Sequence, residues 1–155
     1  GLTYGPLATT SRVGFFFAGW WTGVGGAGTQ VLDTTMVTIT ADQTLYAKWA
    51  LNAYTVTFDA QGGTAPIPPS KLVTFASTYG ALATTSRAGY VFDGWWTAAT
   101  GGSQVLSSTT VTNASNHTLY AQWTELPPVP VASLAGLGAL LGLITITGAR
   151  KMRKK

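Results

Sequence analysis

The sequence predicts a mainly β protein, built of small tandem β repeats and closed by a single carboxyl-terminal transmembrane helix. Three observations carry this reading. The stretch Gly14-Phe-Phe-Phe-Ala-Gly-Trp-Trp-Thr22 returns 75 positions later as Gly89-Tyr-Val-Phe-Asp-Gly-Trp-Trp-Thr97. Apolar and polar residues alternate with period two in segments such as Tyr54-Thr-Val-Thr-Phe-Asp59, the spacing of a strand with one buried face. Val131 to Ala149 is a run of 19 residues without a charge, followed directly by five basic residues.

The period makes each unit about half of the 155-residue chain. A domain of that size buries only ~60% of its unfolded surface, so it depends on dense aromatic packing or on a neighbour. Cysteine is absent, which leaves no disulfide to staple it. All six tryptophans fall in the duplicated framework.

The first copy spans residues 1–50 and is incomplete. Leu7 to Arg12 matches Leu82 to Arg87 residue for residue, and Tyr4-Gly5 matches Tyr79-Gly80. Leu2 aligns with Ser77, so the counterparts of Asn52 to Ala76 would precede Gly1. The expectation is a carboxyl-terminal fragment of a longer protein, with no signal peptide at its start. After the tryptophan pair the offset slips to 74 within Gly23-Val-Gly-Gly-Ala-Gly28, a glycine-rich stretch that reads as a hairpin tip.

The second copy, residues 51–124, is complete. Tyr54 to Asp59 reads as its first strand, and Asp59-Ala-Gln-Gly-Gly as a turn in which Asp59 bonds its own backbone. Pro66, Pro68 and Pro69 keep the next connection out of regular pairing. Lys71 to Phe75 reads as a second strand with Val73 and Phe75 inward, and Ser77 to Ala83 as a short turn of helix. Thr118 to Trp123 reads as the last strand, with Leu119, Ala121 and Trp123 on one face.

Three motifs carry a family resemblance: Tyr54-Thr-Val-Thr-Phe-Asp-Ala-Gln-Gly-Gly63, Arg87-Ala-Gly-Tyr-Val-Phe-Asp-Gly-Trp-Trp-Thr97 and Thr118-Leu-Tyr-Ala-Gln-Trp123. The chain resembles the Listeria-Bacteroides repeat, the B-repeat of internalin-type bacterial surface proteins. The resemblance implies a small β-grasp-like fold and a cell-surface location as stalk, spacer or adhesive module. It supplies no catalytic residues.

Neighbouring residues on a strand point to opposite faces, so Trp95 and Trp96 cannot share the core. With unbroken alternation Phe92 lies with Trp96, whereas a bulge at Gly94 sets it with Trp95. The family pattern, Phe-x-Gly-Trp before a more variable aromatic, implies the bulge. Trp20 and Trp95 are therefore expected in the core with Trp49, Phe58, Phe92 and Trp123. Trp21 and Trp96 are the more accessible pair and the candidates for stacking on a sugar ring.

Other chemistry is thinly represented. One histidine, five carboxylates and no thiol leave little for a hydrolase, and no enzyme, cofactor or metal site is expected. His117 reads as a surface turn residue, replaced by Gln43 in the other copy. No carboxylate recurs: Asp93 faces Ala18, Asp42 faces Asn116 and Asp33 faces Ser107. An Asp59 and Asp93 glycosidase pair and a calcium loop at Asp59 are both disfavoured.

The formal charge of +4 does not indicate nucleic acid, because its distribution is uneven. Arg12, Lys48, Lys71 and Arg87 are outnumbered by Asp33, Asp42, Asp59, Asp93 and Glu125, so the body offers no basic face. The excess comes from Arg150, Lys151, Arg153, Lys154 and Lys155.

Residues 125–130 read as a stiff proline linker. Residues 131–149 would form a helix about 28 Å long, close to a bilayer core. The basic residues 150–155 would stay cytoplasmic, with the repeats outside. The ensemble resembles the tripartite sorting signals read by sortases and exosortases. Leu126-Pro127 opens like a sortase site, but Val129 and Pro130 stand where Thr and Gly belong, and an exosortase Pro-Glu-Pro is missing. A permanent anchor and a processed signal both remain open. Expected partners are a membrane, a cell-wall or host glycan or protein, and such a processing enzyme.

Overall fold

A computed structural model describes residues 1–128. The expected transmembrane helix and basic tail, 131–149 and 150–155, and the last two linker residues lie outside them. Among the described residues no helix is long and apolar enough to cross a membrane.

Among the described residues eight strands form two sheets. The first copy contributes β1 (Phe15–Trp21), β2 (Gln30–Val31) and β3 (Tyr46–Leu51), in the order β2-β1-β3. The second contributes β4 (Ala53–Asp59), β5 (Ser70–Thr74), β6 (Tyr90–Trp96), β7 (Gln104–Val105) and β8 (His117–Glu125), in the order β5-β4-β8-β6-β7. The strands cross the expected unit limits by one residue, since β3 runs through Leu51 and β8 through Glu125.

All neighbours in the five-stranded sheet are antiparallel except β4 and β8, which run parallel with Val56 opposite His117 and Phe58 opposite Leu119. Parallel neighbours need a long crossover, and here β5, β6 and β7 lie within it. The architecture is mainly β. Ser77 to Ala83, expected as a turn of helix, is instead bent and irregular backbone with one bridge from Thr78 to Thr110. It is held to the 107–111 loop by Tyr79 N–H to Thr109 O at 3.0 Å and Val111 N–H to Ser77 O at 2.8 Å. Tying the segment to a distant loop satisfies those backbone groups without a helical ladder.

The core of the second copy collects Val56, Phe58, Val73, Tyr79, Ala83, Trp95, Val105, Val111, Leu119 and Ala121. Phe58 meets Trp95 with ring centroids 4.7 Å apart. Asp59 Oδ1 accepts from the Gln61 amide at 2.9 Å, the local bond that turns the chain out of β4.

Val73 is buried, but β5 ends at Thr74, and Phe75 does not enter the core of its own copy. Its ring packs edge-on against Phe15 of the first copy at 5.8 Å, over Gly14. A side chain at Gly14 would begin 2.3 Å from that ring, and Gly14 has φ +80°. The joint is completed by Asn52 N–H to Gly14 O at 3.0 Å and Phe75 N–H to Asn52 O at 2.9 Å.

Candidate functional site

The tryptophan strands divide into an inner and an outer face at one glycine in each copy. In β6, Phe92 pairs with Trp123 and Gly94 with Gln122, so the register shifts between them. Gly94 has φ +109°, which only glycine adopts without strain, and the extra residue rotates the strand. In β1 the same shift lies between Phe17 and Trp20, with Gly19 at φ +102°. Phe92 and Trp95 thus share the inner face.

Trp95 is 2% exposed and donates its indole N–H to Ala83 O at 2.8 Å. Trp20 makes the matching bond to Ala8 O at 2.7 Å but is only half-buried. Phe58 is buried; Trp49 and Trp123 are half-buried. Trp123 donates to Ala60 O at 2.9 Å, which fixes it over the β4 turn.

Phe92 corrects the expectation of a core residue. It is 36% exposed, because it sits near the entrance of β6, where the rings of Trp95 and Trp123, at 5.6 and 5.1 Å, cover it only in part.

The outer face carries Trp21 and Trp96, both half-buried. Each lies directly across from a tyrosine, Trp21 opposite Tyr46 and Trp96 opposite Tyr120. These tyrosines escape a reading that counts only the inner phase of Thr-Leu-Tyr-Ala. The signal for them is the same alternation, since Tyr46 and Tyr120 stand in the phase of the outer tryptophans.

The two copies then diverge. Lys48 Nζ lies 4.4 Å from the centre of the Trp21 ring, a cation held on the π face. Gln122 stands in its place and donates to Ala98 O and Gly101 O. The indole nitrogens differ as well. Trp21 Nε1 donates to Ala18 O at 3.4 Å, sharing it with Gln30. In the second copy Gln104 takes the equivalent Asp93 carbonyl at 2.8 Å, and the buried Trp96 Nε1 is left without a partner. Only the ring of Trp96, not its N–H, is available to a ligand.

His117 is not a surface turn residue. It opens β8, half-buried, and its Nδ1 donates to Ser115 O at 2.9 Å. That assignment leaves Nε2 to accept from the Tyr79 hydroxyl at 2.7 Å. Burial pushes the Tyr79 phenol above its ordinary value. Tyr4 donates to Gln43 in the first copy, so the pair is a structural clasp rebuilt with a different acceptor. Among the described residues no group of three His, Asp or Glu side chains is placed to hold a metal ion.

Asp59 and Asp93 have separate local duties. Asp59 closes its turn, and Asp93 Oδ2 accepts from Thr124 at 2.7 Å.

Comparison with known proteins agrees with the duplicated bonding. The profile of the Listeria-Bacteroides repeat domain matches residues 1–48 and 54–122. Internalin H of Listeria monocytogenes is 38% identical over 124 residues, covering 77% of this chain and 21% of that protein. A putative Gly-rich membrane protein of Evansella cellulosilytica is 33% identical over 124 residues, covering 73% of this chain and 14% of its own length. A putative membrane protein of the same organism is 40% identical over 57 residues, covering 28% of this chain and 9% of its own length. The chain thus spans about a fifth or less of the relatives it matches. It belongs to the Listeria-Bacteroides repeat domain family.

Proposed function

We propose that this chain is part of a bacterial cell-envelope protein in which the repeats act as a non-enzymatic stalk or spacer that displays or attaches other parts. One observation carries the reading: the two copies duplicate their structural bonds and not their reactive groups. Trp20 to Ala8 mirrors Trp95 to Ala83, and Thr29 N–H to Thr22 Oγ1 mirrors Ser103 N–H to Thr97 Oγ1, each at 3.0 Å. Asp33, Asp42 and Asp93 face Ser107, Asn116 and Ala18, and His117 faces Gln43. The Gly14, Asn52 and Phe75 joint adds a defined junction between units, as a spacer requires.

The envelope setting is supported by the membrane-protein relatives and by the uncharged run at 131–149 with its basic end. In this reading the run anchors the chain with its carboxyl end inside, as a permanent helix or as a sorting signal. The parallel β4 and β8 pair at the centre of a mixed sheet supports kinship with β-grasp folds. The test is a reporter domain fused ahead of Gly1 on bacterial cells. Deleting residues 1–125 while keeping the tail should lower antibody access to the reporter without lowering its amount. Unchanged access would count against a spacer role.

A second reading, carbohydrate binding, is favoured by the outer Trp21 with Tyr46 and Trp96 with Tyr120 pairs. Glycan-array binding that disappears in Trp96→Ala, with the fold retained, would place it ahead of the spacer.

A further inference from the structure

The complete second copy holds a polar cavity where β4 stops short of its neighbour. β4 follows β8 in parallel as far as Asp59 opposite Tyr120, and the chain then turns away, with Asp59 Oδ1 holding the Gln61 amide. Beyond that point Gln122 and Trp123 of β8 border an open space of about 360 Å³. The hairpin tip at Ala99 to Gly101 frames one side of it and Arg87 another.

Each wall is fixed by bonds that leave binding groups over. The Arg87 guanidinium lies 3.8 Å from the centre of the Tyr90 ring and donates Nη1–H to Gln61 O at 3.3 Å. Both contacts are uncharged, and among the described residues no carboxylate pairs with this cation. The guanidinium fork keeps further N–H groups beyond the one this bond uses. Gln122 commits both amide hydrogens to the hairpin tip, to Ala98 O at 3.2 Å and Gly101 O at 2.9 Å, which leaves its Oε1 as an acceptor. Trp123 donates its N–H to Ala60 O at 2.9 Å, so what it offers the cavity is ring surface. Thr100 is exposed and adds a hydroxyl able to play either role.

A few convergent polar groups beside an aromatic plane are the ingredients of a small-ligand site. A single stacked guanidinium matches the single charge and the coplanar oxygens of a carboxylate. Gln122 Oε1 and Thr100 suit hydroxyls next to that carboxylate. An aspartate or glutamate side chain brings the charge without the hydroxyls. We propose that this cavity binds a carboxylate-bearing sugar, a uronic acid of an acidic glycan, with Arg87 on the carboxylate and Gln122 and Thr100 on neighbouring hydroxyls. The site requires neither the spacer role nor the outer Trp96 ring, which does not border it.

The first copy is built differently at this place. Lys48 replaces Gln122, its ammonium sits over the Trp21 ring, and its Cδ lies 2.4 Å from where a side chain on Gly26 would begin. Arg12 stacks on Phe15 at 3.9 Å as Arg87 does on Tyr90, but it is exposed. Arg12 is therefore an internal control for charge alone.

The test titrates tetramers of galacturonate, glucuronate and mannuronate into the full chain in detergent, followed by calorimetry and by the Trp123 indole and Arg87 Nε N–H resonances. Saturable one-to-one binding of at least one tetramer, moving both resonances, is expected. Methyl esterification of its carboxylates should weaken binding at least about tenfold. Arg87→Gln should weaken it as much, and Arg12→Gln should leave it unchanged. Arg87 also holds Gln61 and Tyr90, so Thr100→Glu at the exposed tip supplies a second variant. It keeps those contacts, sets a like charge in the cavity and should weaken binding about tenfold or more. Lack of saturable binding by all three tetramers up to about 10 mM overturns the proposal. Equal binding of the ester, unchanged binding in Thr100→Glu, or an equal loss in Arg12→Gln also overturns it. Tetraglutamate that binds as tightly as the best uronate and moves the same resonances would assign the cavity to an acidic peptide and overturn the sugar.

Discussion

Replacing Trp95 by alanine tests the division between inner and outer tryptophans at its most consequential point. The indole is almost wholly enclosed, packs against Phe58 and Phe92, and satisfies Ala83 O. Truncating a buried tryptophan costs about 3 to 5 kcal/mol, and leaving the Ala83 carbonyl unpaired adds about 1 kcal/mol. A unit of this size has a total stability of about 4 to 11 kcal/mol. The variant should therefore lose most of the stability of the second copy and leave it partly unfolded at room temperature. Trp20→Ala removes an indole that is only half-buried, so its cost should be about half as large. Urea titrations read copy by copy through hydrogen exchange separate the two effects. A cost below about 1 kcal/mol for Trp95→Ala would refute the bulge-directed core. Equal costs for the two substitutions would refute the difference in burial between the copies.

Other substitutions probe the remaining contacts. Gly94→Ala forces a side chain into φ +109° with its Cβ 2.6 Å from Gln104 Nε2, and should cost about 1 to 3 kcal/mol by thermal unfolding. Trp96→Phe removes a buried N–H that has no acceptor, so it should be neutral or stabilising by up to about 1 kcal/mol, and a loss above about 2 kcal/mol would mean the nitrogen is paired. Phe75→Ala should loosen the junction with Phe15, and calorimetry should then show the two copies melting further apart than in the parent. Tyr79 gives a pH prediction: its phenol is raised above 10.0 by burial, so the neutral form is the one the fold holds. That contribution is complete below the ordinary phenol value and is lost as pH rises through the folded value. The alkaline fall in stability should be smaller in Tyr79→Phe than in the parent, and identical profiles would contradict the burial.

What could be read from the sequence depended on how far apart the interacting residues lie. Gly94 and Gly19 sit inside the motif whose phase they change, yet the residues alone allowed both phases and the family resemblance implied the bulge; the Asp59 turn was legible because its bond spans two residues. The exposure of Phe92 was not, because it depends on how far Trp95 and Trp123, on this strand and its neighbour, cover the ring rather than on the phase of the strand. His117 looked like a turn residue since Tyr79, its partner, lies 38 positions away. The recurrence of a tyrosine at 4 and 79 with an acceptor at 43 and 117 was the available signal. Phe75 fits the inward phase of β5, yet the strand ends one residue earlier and the ring turns to Phe15. Local alternation carries no record of that junction. The outer tyrosines could have been found by following the second phase of each aromatic strand as closely as the first.

The central claim is that the repeats stand outside the cell and present their faces there. Protease shaving of intact bacteria that make the full protein tests it most directly, with fragments from residues 1–125 identified by mass spectrometry. Release of those fragments from intact cells, with the carboxyl-terminal residues protected until lysis, is the expected result. Repeats that resist protease until the cells are lysed, while the isolated repeats are cleaved under the same conditions, would contradict it.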